Sequence, residues 1–174
     1  MNKILITGAS SAIGKDLILK IDKKNQIILA HYSKSKNFLS FIKKNKLKSK
    51  IVPFKCNFEK KNEINIFLNK LNKYKINSII HLASDNLKIK RFSELKYSDY
   101  RKQFDISLKS IIEIIQNQIN FMSENKNSKV IFVLSSVVKG LPPPYMSNYV
   151  SLKYALSGLM KSLVSEYKNK DISF

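Results

Sequence analysis

The sequence predicts an α/β fold: a doubly wound parallel sheet in a three-layer α/β/α arrangement. Three observations carry this. Short apolar runs alternate with longer amphipathic ones along the chain. A glycine-containing turn, Thr7 to Gly14, joins the first apolar run to the first amphipathic one. The amphipathic stretches are long enough to be crossover helices, which are right-handed and cover both sides of a parallel sheet.

In chain order, the apolar run Lys3 to Thr7 reads as a strand, and the stretch Ala12 to Lys23 as a helix. Strand Gln26 to His31, helix Lys36 to Lys46, strand Lys50 to Lys55 and helix Glu59 to Lys73 follow. The run Ser78 to Ala83 is the next strand. The helix Ser98 to Asn125 after it is the clearest, because Phe104, Leu108, Ile111, Ile115, Ile119 and Met122 recur at intervals of three or four. Strand Lys129 to Leu134 leads through a Gly/Pro loop into helix Asn148 to Lys168. Residues 1–174 read as one domain.

Composition narrows the function classes. The formal charge is +20, yet arginine contributes only Arg91 and Arg101 and the lysines run from Lys3 to Lys170 rather than in one block. A solvated lysine surface explains this better than a nucleic-acid footprint, so no specific nucleic acid is expected, although the field attracts acidic partners. The single cysteine, Cys56, excludes an internal disulfide and reads as a small buried side chain in a reducing compartment. The apolar run after Met1 is broken at once by Thr7-Gly8, and no apolar run is long enough to span a bilayer. A cytoplasmic protein without membrane association or a metal site is the expectation.

In an open parallel sheet, ligands sit beyond the carboxyl ends of the strands. The turn Thr7-Gly8-Ala9-Ser10-Ser11-Ala12-Ile13-Gly14 lies there, with glycines where the backbone must turn tightly and approach a pyrophosphate. The helix amino end then offers unpaired N–H groups and partial positive charge to the phosphates. A plain structural turn remains the alternative for this stretch by itself.

The second candidate site is Ser136 with Tyr149 and Lys153. Tyr149 and Lys153 are four apart on a helix and share a face, so the ammonium lies beside the phenol and favours phenolate. Tyr149 thereby becomes a candidate proton donor or acceptor, and Ser136, beyond a strand's end, a hydroxyl to hold a carbonyl oxygen. Tyr32 with Lys36 repeats the spacing, but only Tyr149 has a strand-end serine upstream.

Together, Thr7-Gly-x-x-x-Ala-Ile-Gly14 and Ser136, Tyr149 and Lys153 resemble the short-chain dehydrogenase/reductase family over the whole chain. The pattern looks most like its 3-oxoacyl-[acyl-carrier-protein] reductases and related polysaccharide-pathway enzymes. The resemblance implies a Rossmann fold and hydride transfer between a nicotinamide and a carbonyl or secondary alcohol. It implies Tyr149 as general acid or base, Lys153 beside it holding the nicotinamide ribose, and Ser136 positioning the substrate oxygen. Cofactor contacts would come from Gly8, Ser10, Ser11, Ala12, Ile13, Gly14, Asn57, Ala83, Tyr149 and Lys153. A homodimer or homotetramer is also implied, and the substrate is a small-molecule or carrier-protein-linked carbonyl.

The end of the second strand reads Ala30-His31-Tyr32-Ser33-Lys34-Ser35-Lys36, with no carboxylate to take a ribose 2′-hydroxyl. Tyr32, Ser33 and Lys34 suit a 2′-phosphate, so NADP(H) is expected over NAD(H). The sequence departs from the family pattern in several places. His81-Leu82-Ala83-Ser84 replaces the usual Asn-Asn-Ala-Gly, and His81 reads as a hydrogen-bonded structural residue. Asn57 replaces an adenine-contacting aspartate, and Ser107 falls where the family's proton-relay asparagine belongs. The chain also stops where the family's last strands and helix would follow, which leaves one strand with little or no neighbour and reads as a fragment. A noncatalytic nucleotide-binding or regulatory remnant is the alternative function.

Overall fold

The computed structural model describes residues 1–34 and 36–174; Ser35 of the expected 2′-phosphate stretch lies outside them. Six strands form one sheet in the order β3-β2-β1-β4-β5-β6. They are β1 (Asn2–Thr7), β2 (Gln26–Tyr32), β3 (Lys50–Lys55), β4 (Ser78–His81), β5 (Ser128–Phe132) and β6 (Ile172–Ser173). Every pairing is parallel, and the order reverses at β1, with Leu5 opposite Leu29 on one side and Ile79 on the other. The sheet is therefore doubly wound, with its switch point at the carboxyl end of β1.

Alternation of side chains divides the core between the two faces. Ile4, Ile6, Ile28, Ala30 and Ile80 point to one face, against Ile18 of α1 (Ala12–Ile21) and Phe38 of α2 (Lys36–Lys44). Leu5, Leu29, Ile79 and Val130 point to the other. They meet Phe67 of α3 (Lys61–Leu71), Ile111 of α5 (Ser110–Glu124) and Leu152 of α6 (Ser147–Glu166). Burial of each such side chain contributes about 1.5–3 kcal/mol, so both layers are held by the same force. Within β2, Gln26 to His31 are all buried, as a central strand covered on both faces requires.

The structure corrects the sequence reading in three places. Strands β4 and β5 end at His81 and Phe132, two residues earlier than expected, because the backbone turns away to form the loops beyond them.

The predicted helix Ser98 to Asn125 is interrupted. Regular α4 (Tyr97–Gln103) passes into a π-helical segment, Phe104–Lys109, before α5 resumes. The wider turn frees carbonyls, and the Ser110 hydroxyl takes up that of Ile106 at 2.6 Å and lies 3.3 Å from that of Ser107. A 3.6-residue pattern cannot register such an inserted residue.

The sheet is also not covered throughout. On the α1/α2 face Ile131 and Val133 remain 46% and 38% exposed, because that layer stops short of β5. On the outer edge of β5 only Ser128 and Lys129 pair with β6.

Among the described residues no helix is long and apolar enough to cross a membrane.

Candidate active site

The switch point is built by the turn after β1. Gly8 has φ +67°, the left-handed region that glycine enters without a Cβ penalty, and a Cβ there would come 2.9 Å from Ala83 N. A Cβ on Gly14 would sit 2.7 Å from the Cα and carbonyl oxygen of Ala9, so this glycine lets α1 pack closely on the turn. Ser11 caps α1, its hydroxyl accepting from Gly14 N–H at 3.0 Å. The amides of Ala12 and Ile13 precede the first intrahelical bond, and among the described residues they are unfilled donors of the helix end.

A cavity of about 530 Å³ opens here, lined among others by Gly8, Ser10, Ser11, Ser33, Lys34, Asn57 and Ala83. Tyr32 lines a neighbouring cleft with Ser33, Lys34, Lys55, Asn57 and Lys60. Besides Tyr32, five of the expected cofactor residues stand apart from the cavity wall: Ala12 and Ile13 are exposed on the first turn of α1, Gly14 is buried behind it, and Tyr149 and Lys153 lie on α6, outside the lining. Asn57 N–H donates to Glu63 Oε2 at 2.8 Å, and its Oδ1 accepts from Glu59 N–H at 3.1 Å. The Nδ2 hydrogens are the part of this amide still to be matched.

Lys153 is positioned by α6, which packs against the end of β5. Its ammonium donates to the Val133 carbonyl at 2.8 Å and lies 5.4 Å from the centroid of the Tyr149 ring. Burial, to 7% exposure, lowers its pKa from the ordinary lysine value. One of its three hydrogens is used by Val133, and the others are available. Tyr149 is half-buried, and Ser136 is exposed in the single 3₁₀ turn Ser136–Val138. Among the described residues no hydrogen bond joins Ser136 to Tyr149, so the structure brings lysine and tyrosine together and leaves the serine hydroxyl unbonded to either. Ser107 lies buried in the π segment, its hydroxyl donating to the Ala83 carbonyl at 2.8 Å. Its hydrogen is thereby committed, and its oxygen can only accept.

Tyr145, just before α6, follows three prolines and has φ +67°, a costly conformation for a bulky residue. Its carbonyl is anchored by Lys90 N–H at 2.9 Å. Tyr100 OH and Ser147 Oγ, which line a cleft between α4 and α6, are 2.6 Å apart.

Two histidines, neither assigned a binding role from sequence, flank the turn after β1; of them His31 also lines the cavity. His31 Nδ1 accepts from Gly8 N–H at 3.1 Å, so its hydrogen is on Nε2, 3.0 Å from the Cys56 carbonyl. The ring stacks on Phe58 with centroids 3.9 Å apart. His81 meets Thr7 Oγ1 at 2.8 Å. That oxygen also accepts from Ala83 N–H at 3.1 Å and shares Leu82 N–H, at 3.1 Å, with the Thr7 carbonyl at 3.2 Å, an arrangement that favours the hydroxyl hydrogen pointing to His81 Nδ1. His81 is hydrogen-bonded, as its sequence context suggested; its Nε2 is buried without a partner among the described residues. Burial drives His31 down to about 4 and His81 to about 3, the latter helped by the Lys153 charge and opposed by the Ser107 main chain. Both are neutral at pH 7. Cys56 is pushed up to about 12 by burial and Glu63, which makes its thiol inert. The sequence signal for His31 was available in part: it has the parity of Leu29 in a strand otherwise apolar on that face.

A parallel sheet with its glycine turn and helix amino end at the switch point, and a lysine–tyrosine pair on the helix after β5, define a dinucleotide-dependent oxidoreductase. The sequence profile of the short chain dehydrogenases matches residues 2–174, and the chain belongs to that family, which acts on carbonyl and alcohol groups with a nicotinamide cofactor. It is 26% identical over 174 residues to the 3-oxoacyl-[acyl-carrier-protein] reductase FabG of Thermotoga maritima, spanning 97% of this chain and 69% of that protein. Two solved structures show the same fold. A 3-oxoacyl-[acyl-carrier protein] reductase with bound NAD from Brucella melitensis has a TM-score of 0.84 at 17% identity, over 98% of this chain and 67% of that one. A short chain dehydrogenase in complex with NADP from Burkholderia cenocepacia has a TM-score of 0.83 at 15% identity, over 98% and 70%.

Proposed function

We propose that the protein is an NADP(H)-dependent carbonyl reductase in which Tyr149 is the general acid, and the general base in the reverse direction. The observation that carries this is the Lys153 ammonium, buried at the end of β5 and 5.4 Å from the Tyr149 ring. A cation in that position stabilises the phenolate left when Tyr149 gives its proton to the forming alkoxide. Ser136 holds the substrate oxygen, and the free hydrogens of Lys153 hold the nicotinamide ribose. The nicotinamide would supply the hydride. Ser107 accepts a hydrogen bond in the proton path, and Ala83 backs the nicotinamide side of the cavity.

The α1 amides of Ala12 and Ile13, with Gly8, Ser10, Ser11 and Gly14, hold the pyrophosphate, and Asn57 meets the adenine. Tyr32, Ser33 and Lys34 take the 2′-phosphate, with Lys55 in the same cleft, where Lys60 is paired to Glu63 at 3.1 Å, and no carboxylate at the end of β2. A 3-oxoacyl thioester on a carrier protein is the favoured substrate, supported by the likeness to the Thermotoga reductase and by a +20 surface that attracts an acidic carrier. Exposed Phe92 and Tyr97, at 77% and 82%, beside the α4–α6 cleft favour a homodimer or homotetramer; light scattering that gives only monomer at micromolar concentration removes that part.

The test is oxidation of NADPH and of NADH at low concentration with a 3-oxoacyl thioester. NADPH is expected to be used preferentially, and Lys34→Glu to raise its KM about tenfold while sparing NADH. Equal use of the two dinucleotides, unaltered by Lys34→Glu, overturns the NADP(H) assignment.

A further inference from the structure

Thr7 and Gly8 are the last residue of β1 and the first of the turn beyond it. Each meets the Nδ1 of a different histidine: Thr7 Oγ1 lies 2.8 Å from that of His81, and Gly8 N–H donates to that of His31 at 3.1 Å. Because β1 lies between β2 and β4, the two imidazoles grip the turn from opposite sides.

Both rings are held in turn. His31 gives its Nε2 hydrogen to Cys56 O at 3.0 Å, stacks on Phe58 and meets Phe67 edge-on at 5.6 Å. His81 is 3% exposed, and the Thr7 oxygen facing it also collects the amides of Leu82 and Ala83. An aliphatic residue in either position would fill the space and leave a buried donor of the turn without a partner, which costs more than the bond itself contributes. The sequence contains two histidines, and both are used in this way on consecutive residues.

We infer that His31 and His81 form a two-sided clamp that holds the Thr7–Gly8 turn in the geometry presenting the α1 amides to a dinucleotide pyrophosphate. Both are positioning residues for cofactor binding. The inference rests on reading the cavity as a dinucleotide site.

Asparagine and leucine separate the acceptor from the bulk. Asn Oδ1 lies the same number of bonds from the backbone as His Nδ1 and carries the lone pair; leucine places a methyl there. The experiment has two arms. In the first, ¹⁵N NMR of the chain without dinucleotide at pH 7 shows two imidazoles, assigned through His31→Asn and His81→Asn. Both are expected as the Nε2–H tautomer, and an Nδ1–H tautomer or an imidazolium at either position overturns the clamp.

In the second arm, NADPH and NADH are titrated by fluorescence. His31→Leu and His81→Leu should each weaken the tighter dinucleotide about tenfold, and the asparagine variants should stay within about threefold of the parent. Leucine variants that bind as tightly as the parent overturn the clamp alone, as do folded asparagine variants that lose tenfold. A folded parent that binds neither dinucleotide overturns the cofactor reading, and the clamp's role in binding with it. Should a leucine variant fail to fold, the tautomers and the asparagine variants decide.

Discussion

Replacing Tyr149 by phenylalanine should lower kcat for carbonyl reduction at least about 100-fold and leave dinucleotide affinity within about twofold, the range expected when a positioned proton donor is removed. The phenyl ring keeps what the structure shows the side chain doing: it stays half-buried on α6, with the Lys153 ammonium 5.4 Å from its centroid. Only the hydroxyl is lost, so a fall in rate reports chemistry rather than packing. Lys153→Met should behave differently. It removes the charge and also the hydrogen bond to the Val133 carbonyl, 2.8 Å long, which fixes α6 to the end of β5. Both kcat and dinucleotide affinity should then fall. A phenylalanine variant that keeps more than about a tenth of the parent kcat removes Tyr149 from its role.

The second large effect is acid destabilisation that begins near pH 6.5. In the folded chain burial holds His31 at about 4 and His81 at about 3, against 6.5 for an ordinary histidine. Below pH 6.5 the unfolded chain therefore binds protons that the folded chain refuses, and stability falls as pH drops toward the folded values. At about 1.4 kcal/mol per unit, His31 and His81 each account for about 3 kcal/mol by pH 4, and His81 continues the loss to about pH 3. The carboxylates with lowered values, Asp22, Glu63 and Asp99, start from ordinary values of 3.8 to 4.5, so their contributions are lost only as pH falls below that range. The window from pH 6.5 to 5 thus belongs to the histidines. Thermal melts should show Tm falling across it, and the His31→Asn/His81→Asn double variant should flatten the curve there. A parent Tm that is level from pH 7 to 5 contradicts the burial of both imidazoles in neutral form.

How much of this was legible beforehand follows from what each feature depends on. The first three strands end within a residue of their sequence-read limits, because a buried strand needs apolar residues wherever it has neighbours. The glycine turn and the Tyr149–Lys153 pair were legible because their spacing came with context, a strand before the one and a strand-end serine upstream of the other. The π segment was not: it preserves an apolar stripe and shows itself only through where the carbonyls of Ile106 and Ser107 go. Nor were the histidines. The partner of His81 is 74 residues away and that of His31 is 23 away, and neither bond leaves a periodic trace. Ser107 was expected at the family's relay position, but its burial and the direction of its hydrogen, toward Ala83, depend on a loop whose path the sequence did not specify.

The strand order has a consequence for how the chain is made. Since β1 sits between β2 and β4, its first partner arrives with Gln26 but its second only with Ser78. A ribosome emitting the chain from its amino end therefore releases β1, β2 and β3, with α1 and α2 beside them, before the other edge of β1 can be closed. During that interval the nascent half displays an open row of backbone donors and acceptors along Ile4 to Thr7, the kind of edge on which chains join one another. Synthesis rate between residues 55 and 81 is then expected to affect how much of the product escapes aggregation. Slowing translation in that stretch should lower soluble yield more than slowing it after Phe132.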